Sequence, residues 1–217
     1  MITIKFNDNI VHTYSSFEEI LKLENYNDII YLNCVYNQLS NLPELPNSLI
    51  ELFCGSNRLS CLPELPKSLK LLHCSQNCLL SLPELPNLLE YISCGYNILS
   101  ILPELPNSLE KLYCEHNKLF NLPKLPNSLE KFYCNNNILS SLPKLPNLLT
   151  DLNCGFNNLS SLPELPHSLN ILFCNENNLT SLPRLPNSLQ NIWCTNNKIS
   201  NLPQLPNSLK YLFCVHN

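Results

Sequence analysis

Long apolar runs are missing from this sequence, and that absence removes whole classes of function. No stretch approaches the roughly 18 consecutive apolar residues that a membrane-spanning helix needs. The opening residues Met1 to Ile10 show no run of about seven apolar residues behind a basic start, so no export signal is expected. Only two arginines are present, and the lysines form no block or stripe. With a net charge of −4 and both signs interspersed, nothing here would neutralise a phosphate backbone, so no nucleic-acid partner is expected. No glycine-rich phosphate loop, serine nucleophile elbow or paired carboxylate occurs, and the five histidines (His12, His73, His116, His167, His216) are scattered without metal spacing. The reading is therefore of a non-enzyme with no cofactor and no metal, its histidines expected to be solvated surface residues.

What is abundant is order. From Ile29 to Asn217 one pattern recurs every 20 residues, ten times in phase. Apolar residues hold position one (Ile29, Leu49, on to Leu209) and position four (Leu32, Leu52, on to Leu212). Position six is cysteine, from Cys34 to Cys214, and position nine is asparagine, from Asn37 to Asn217. Leucine or isoleucine stands at position eleven, and Leu-Pro-x-Leu-Pro closes each of the nine complete units. Such a unit cannot bury its apolar side alone and must stack on copies of itself. The expected domains are residues 1–28 as a segment outside the repeat and residues 29–217 as ten tandem units, the last one truncated.

Twelve cysteines would suggest a disulfide framework in a short exported chain. Ten of them occupy one repeat position, so they report the repeat rather than a pairing scheme. In-register parallel side chains keep Cβ atoms about a strand spacing apart, beyond disulfide reach. Buried small hydrophobes are expected. Cys61 and Cys78 break the phase and read as surface thiols. The asparagine column reads as a buried ladder, its amide both donating and accepting where the chain turns off the strand.

The pattern resembles the leucine-rich repeat, in its short 20-residue Leu-Pro-x-Leu-Pro form similar to bacterial effector domains, over about nine tenths of the chain. The fold class implied is an α/β-class repeat solenoid with a curved parallel sheet on its concave side. Cysteine stands where the family usually carries Leu or Val. Independently, residues flanking the cysteine alternate as a short strand requires, and two prolines per unit make the return arm extended, polyproline-like and free of helix. Ahead of the repeat, Ile2, Ile4 and Phe6 alternate, Asn7-Asp8-Asn9 is turn chemistry, and Ile10 to Thr13 returns as a second strand. Ser16 and Glu19 have the form of a capping box for a helix from about Phe17 to Glu24. This hairpin and helix are expected to cap the first coil.

Function is expected from the columns on the open side of the sheet. One residue before the cysteine, six of ten units carry an aromatic ring: Phe53, Tyr113, Tyr133, Phe173, Trp193 and Phe213. Two before it stand Tyr31, Tyr91, Ile171 and Tyr211, and two after it Tyr36, Tyr96, His116 and Phe156. Aromatic anchors with charged neighbours suit protein recognition. Phe53, Tyr113, Tyr133, Ile171, Phe173, Trp193, Tyr211 and Phe213 are the candidate partner-binding residues, with Phe173, Trp193, Phe213, Ile171 and Tyr211 the densest group. The competing explanation is that aromatics favour strands and stack across rungs for stability.

The leading expectation is a cytoplasmic protein–protein interaction module, acting in a host cytoplasm if viral or an effector. A second is a structural protein that self-associates weakly through an uncapped C-terminal edge. A third, and the least expected, from the resemblance, is the recognition part of a ubiquitin-ligase-type effector, with no ligase domain expected after the last unit. The alanine-free composition, rich in Asn, Ile, Lys and Tyr, points to an AT-rich genome such as those of large DNA viruses and some bacteria.

Overall fold

The computed structural model describes residues 1–8 and 10–217. The turn expectation at Asn9 lies outside the described residues. Twelve short strands form one sheet: β1 (Ile2–Lys5), β2 (Val11–Tyr14), β3 (Tyr31–Asn33), β4 (Glu51–Phe53), β5 (Leu71–His73), β6 (Tyr91–Ser93), β7 (Lys111–Tyr113), β8 (Lys131–Tyr133), β9 (Asp151–Asn153), β10 (Ile171–Phe173), β11 (Asn191–Trp193) and β12 (Tyr211–Phe213). Strands β3 to β12 lie in chain order, and each pairs in parallel with the next, residue n opposite residue n+20. Strand β1 pairs antiparallel with both β2 and β3, so the first two strands extend the same sheet.

The repeat explains this topology directly. Each strand from β3 to β11 is only three residues long with its middle residue buried, because positions three and five face out while position four faces in; β12 has the same length, its middle residue partly buried. Leu49, Leu52, Cys54 and Leu59 are fully buried, and the same four positions recur in the next units to make one continuous core. Burying a leucine contributes about 1.5–3 kcal/mol, so the periodic residues are the main source of stability. Ile2, Ile4 and Ile20 of the N-terminal segment join that core beside Ile29 and Leu32. The Leu-Pro-x-Leu-Pro arm has no helix or strand in any unit. It ends in a turn that the position-one N–H closes onto the second proline's carbonyl, as from Leu49 to Pro46 at 3.1 Å.

Hydrogen bonding between coils runs well beyond the strands. The Cys54 N–H donates to the His73 carbonyl (2.8 Å) and Ser56 to Ser75 (2.8 Å), while Lys70 donates back to Ile50 (2.8 Å). The asparagine ladder completes this set. Asn137 Nδ2 donates to the carbonyls of Cys114 and Cys134, each at 3.1 Å, while its Oδ1 accepts the Leu119 N–H at 2.9 Å. Asn97, Asn157 and Asn177 repeat the arrangement. A second ladder, unforeseen from sequence, is made by serine at position twenty: Ser68, Ser108, Ser128, Ser168, Ser188 and Ser208 each donate to the position-one carbonyl of the same unit, 19 residues back.

Two local expectations are corrected. The helix α1 covers only Phe17–Ile20, followed by turns and a 3₁₀ turn at Tyr26–Asp28, so it stops well short of Glu24. Ser16 makes no side-chain cap; the Glu19 carboxylate instead accepts from the N–H (3.0 Å) and hydroxyl (2.6 Å) of Ser15. Position eight adopts left-handed backbone in all ten units, φ between 51° and 58°, although no glycine stands there. The inter-coil hydrogen bonds on either side hold that geometry against its intrinsic cost.

Candidate functional site

Positions three and five place their side chains on the open face of the sheet, and parallel register brings each into line with its counterparts. The aromatics do not form one stripe. They fall into three stacked groups separated by short polar residues. In the first, Phe53 lies 5.4 Å from Tyr31 and 6.2 Å from His73, centroid to centroid. In the second, Tyr113 lies 5.4 Å from Tyr91 and 5.0 Å from Tyr133, the latter edge-on. In the third, Trp193 lies 4.3 Å from Phe173 and 5.0 Å from Phe213. Ser93 interrupts the first two groups, buried and hydrogen-bonded to Ser75 (2.6 Å), and Asn153 interrupts the last two.

Column five is therefore not a uniformly water-facing row. Phe53, Tyr113, Tyr133 and Phe173 are half-buried because rings on neighbouring rungs cover one another. Trp193 and Phe213 are the open ones, 39% and 44% exposed, with Tyr211 exposed and Ile171 half-buried beside them. The structure thus brings Ile171, Phe173, Trp193, Tyr211 and Phe213 together and sets Phe53 and the Tyr113–Tyr133 pair apart. Tyr31 and Tyr91 complete the first two groups. They lie at position three and lean diagonally onto position five of the next rung, within the reach that cross-strand diagonals allow. A second aromatic feature borders the face at position eight, where Tyr96 stacks on His116 at 4.1 Å and 15°.

Polar groups among the rings carry unusual environments. Burial pushes the Tyr113 phenol up to about 12, helped by Tyr91, Tyr133, Asp151 and Glu115. Burial also holds the Glu115 carboxyl above the ordinary carboxylate range, and its Oε2 is buried without a hydrogen-bond partner. His73 is likewise half-buried with its Nδ1 unpartnered, which lowers its pKa, and this corrects the expectation of a solvated histidine. Asn191 Oδ1 is buried and unpartnered beside Trp193. The three glycines serve these groups. A Cβ on Gly55 would lie 2.6 Å from the His73 ring, one on Gly95 2.6 Å from Glu115, and one on Gly155 2.8 Å from Asn175. Their shared position seven was a signal in the sequence that went unread.

The cysteine column lines the core beneath this face. Cys34 to Cys194 are fully buried and unpaired, Cys214 is partly buried, and Cys61 and Cys78 are exposed. Burial pushes the Cys34 and Cys154 thiols up to about 12 and Cys194 to about 11, so they are neutral hydrophobes at physiological pH. Among the described residues no cluster of three or more His, Cys, Asp or Glu could hold a metal ion, and no helix is long and apolar enough to cross a membrane.

A sheet whose ten repeat strands run parallel, helix-poor return arms and an asparagine ladder at a 20-residue period define a leucine-rich-repeat solenoid. The chain belongs to the leucine-rich-repeat proteins, and its neighbours among solved structures include bacterial effectors. It is similar to YopM from Yersinia enterocolitica, at 36% identity and a TM-score of 0.77, covering 97% of this chain and 53% of that one. It is similar to YopM from Yersinia pestis, described as a leucine-rich effector protein, at 37% identity and a TM-score of 0.73, covering 85% of this chain and 61% of that one. A Shigella effector leucine-rich-repeat domain matches at 31% identity and a TM-score of 0.57, covering 85% of this chain and 77% of that domain. The chain thus spans between 53% and 61% of the two YopM structures. No family model and no curated protein sequence matches it.

Proposed function

We propose that the chain is a non-enzymatic interaction module that binds a partner protein on the open, concave face of its sheet. The observation that carries the reading is Trp193, which stays 39% exposed although it stacks on Phe173 and Phe213 on the rungs to either side. A stack built only for stability would cover its rings. Rigid aromatic anchors beside desolvated polar atoms are what interface centres concentrate. In this reading residues 1–28 close the first coil, residues 29–217 are the binding array, and Phe53, Tyr113 and Tyr133 extend the surface along it. The effector-like neighbours support an interaction role, and action in a host cytoplasm is the setting this reading adopts.

The test is selection of binders from a displayed protein library, together with capture from cell lysate, comparing the native chain with a Phe173→Ala, Trp193→Ala double variant. Loss of the selected binders at an unchanged melting temperature is the expected result. A large fall in melting temperature with undiminished binding would make the stack a stability device. Retrieval of the chain's own copies alone would favour a structural role.

A further inference from the structure

Positions ten, twelve and thirteen lie between the asparagine ladder and the Leu-Pro arm, away from the open face. In most units they carry Ser, Asn, Gln, Lys or Arg. In four consecutive units, three to six, five of the twelve places carry Leu80, Ile98, Ile101, Phe120 and Ile138, between 38% and 62% exposed; the other seven carry Cys78, Ser81, Ser100, Lys118, Asn121, Ser140 and Ser141. Inter-coil hydrogen bonds set these residues side by side: the Ile98 N–H donates to Leu79 (3.1 Å), Phe120 to Ser100 (3.4 Å) and Ile138 to Leu119 (3.0 Å). They form an apolar band across units three to six, interrupted by Lys118 and by short polar residues. Arg58 and Ser60 bound it on one side, Asn158 and Ser160 on the other. Single exposed leucines need no explanation, but five large exposed apolar side chains on four successive coils, with polar borders, mark an interaction surface.

The adjoining arm identifies the occupant. Its exposed position sixteen reads Glu44, Glu64, Glu84, Glu104, Lys124, Lys144, Glu164, Arg184 and the uncharged Gln204. The sign changes between units four and five, at the midpoint of the apolar band. A two-fold axis through that midpoint, lying in the interface and perpendicular to the solenoid axis, sets unit n opposite unit 9 − n of a second copy. Glu104 then faces Lys124, Glu84 faces Lys144 and Glu44 faces Arg184, each pair occurring twice; Glu64 and Glu164 form the one like-charged pair. The same axis sets Ile98 and Ile101 against the unit of Phe120, and Leu80 against that of Ile138. Shifting the register by one unit in either direction puts at least two like-charged combinations in contact, so this register is the one that the charges select.

We propose that a second copy of this chain packs antiparallel on the flank formed by Leu80, Ile98, Ile101, Phe120 and Ile138, with the position-sixteen charges setting the register. Apolar burial drives the contact, and the rim charges specify it. The surface differs from the open face, so the two proposals stand or fall separately.

Sedimentation velocity on the full chain from about 1 to 200 µM spans micromolar association. The native chain is expected to shift from monomer to dimer. I101E/F120E should weaken association by about 100-fold, and E84K/E104K and K124E/K144E by about tenfold each. The combined E84K/E104K/K124E/K144E variant, with the four central signs exchanged, should return to within about threefold of the native value. Trp193→Ala should leave association unchanged. A native chain that stays monomeric throughout would overturn the proposal, as would a dimer insensitive to the flank variants or a combined variant that fails to recover. Circular dichroism melts accompany each variant, and the charge exchange carries the test by itself if I101E/F120E loses its cooperative melt.

Discussion

Replacing Asn137 by leucine isolates one rung of the asparagine ladder, and the structure sets the size of the effect. Asn137 is buried, and its side chain reaches the Asn135 carbonyl (3.4 Å), which the His116 N–H already satisfies, and three backbone groups that the strand register leaves unpaired. Two of them have a reserve: the Cys114 carbonyl also accepts from Asn117 Nδ2 (3.2 Å), and the Cys134 carbonyl from Asn157 Nδ2 (3.0 Å). The third, the Leu119 N–H, bonds to Asn137 Oδ1 and is left stranded in the interior. A buried unsatisfied donor costs about 1–3 kcal/mol, and the weakened carbonyls add a fraction of that, so Asn137→Leu should lose about 2–3 kcal/mol. With a urea m-value of about 2–3 kcal/mol/M, the unfolding midpoint should fall by about 1 M. Asn137→Asp should lose more, because a buried carboxylate would face two carbonyl oxygens. At the exposed last rung, where the Ile199 N–H reaches Asn217 Oδ1 at 3.3 Å, Asn217→Leu should shift the midpoint by less than about 0.3 M. A midpoint for Asn137→Leu within about 0.2 M of the native value would refute the ladder as the holder of these backbone groups.

Three further outcomes can be measured. In a native-state thiol assay Cys61 and Cys78 should react rapidly and Cys214 more slowly, the other nine reacting only on denaturation; fast reaction of most thiols would contradict their burial. Because burial raises the Glu115 pKa in the fold, the carboxyl binds its proton more tightly folded than unfolded. Its unfavourable contribution is absent below the unfolded value and grows as pH rises through the folded one. Glu115→Gln should therefore melt above the native chain at neutral pH, with the gap closing on acidification; a gap that widened in acid would reverse the assignment. Phe132 is the largest fully buried side chain, so Phe132→Ala should cost about 3–5 kcal/mol in chemical denaturation, and a cost below about 1 kcal/mol would mean that the coil collapses around the void.

The repeat was legible because its signals are redundant. The inward direction of Leu52, Cys54 and Leu59, the parallel sheet and the extended proline arms all follow from spacing alone, and the structure bears them out. The helix after Ser16 was not legible in its extent: nothing recurs there to outvote a local pattern, and Ser15 took the partner that Ser16 was expected to have. The site was legible column by column but not in its grouping. That Ser93 and Asn153 divide the aromatics, and that Tyr31 and Tyr91 lean diagonally into the stacks, depends on side-chain packing between rungs. The left-handed backbone at position eight gave no sign, because Tyr, Gln, His, Phe and Glu occupy it without glycine.

The sequence by itself determined which residues lie inside, since a 20-residue period leaves each leucine, cysteine and asparagine one direction in which stacking satisfies all copies at once. Only the tertiary structure decided which outward residues stay open. Exposure of Trp193, Phe213 or the band from Leu80 to Ile138 depends on what the neighbouring coils place beside them, and that information lies between units rather than within any one.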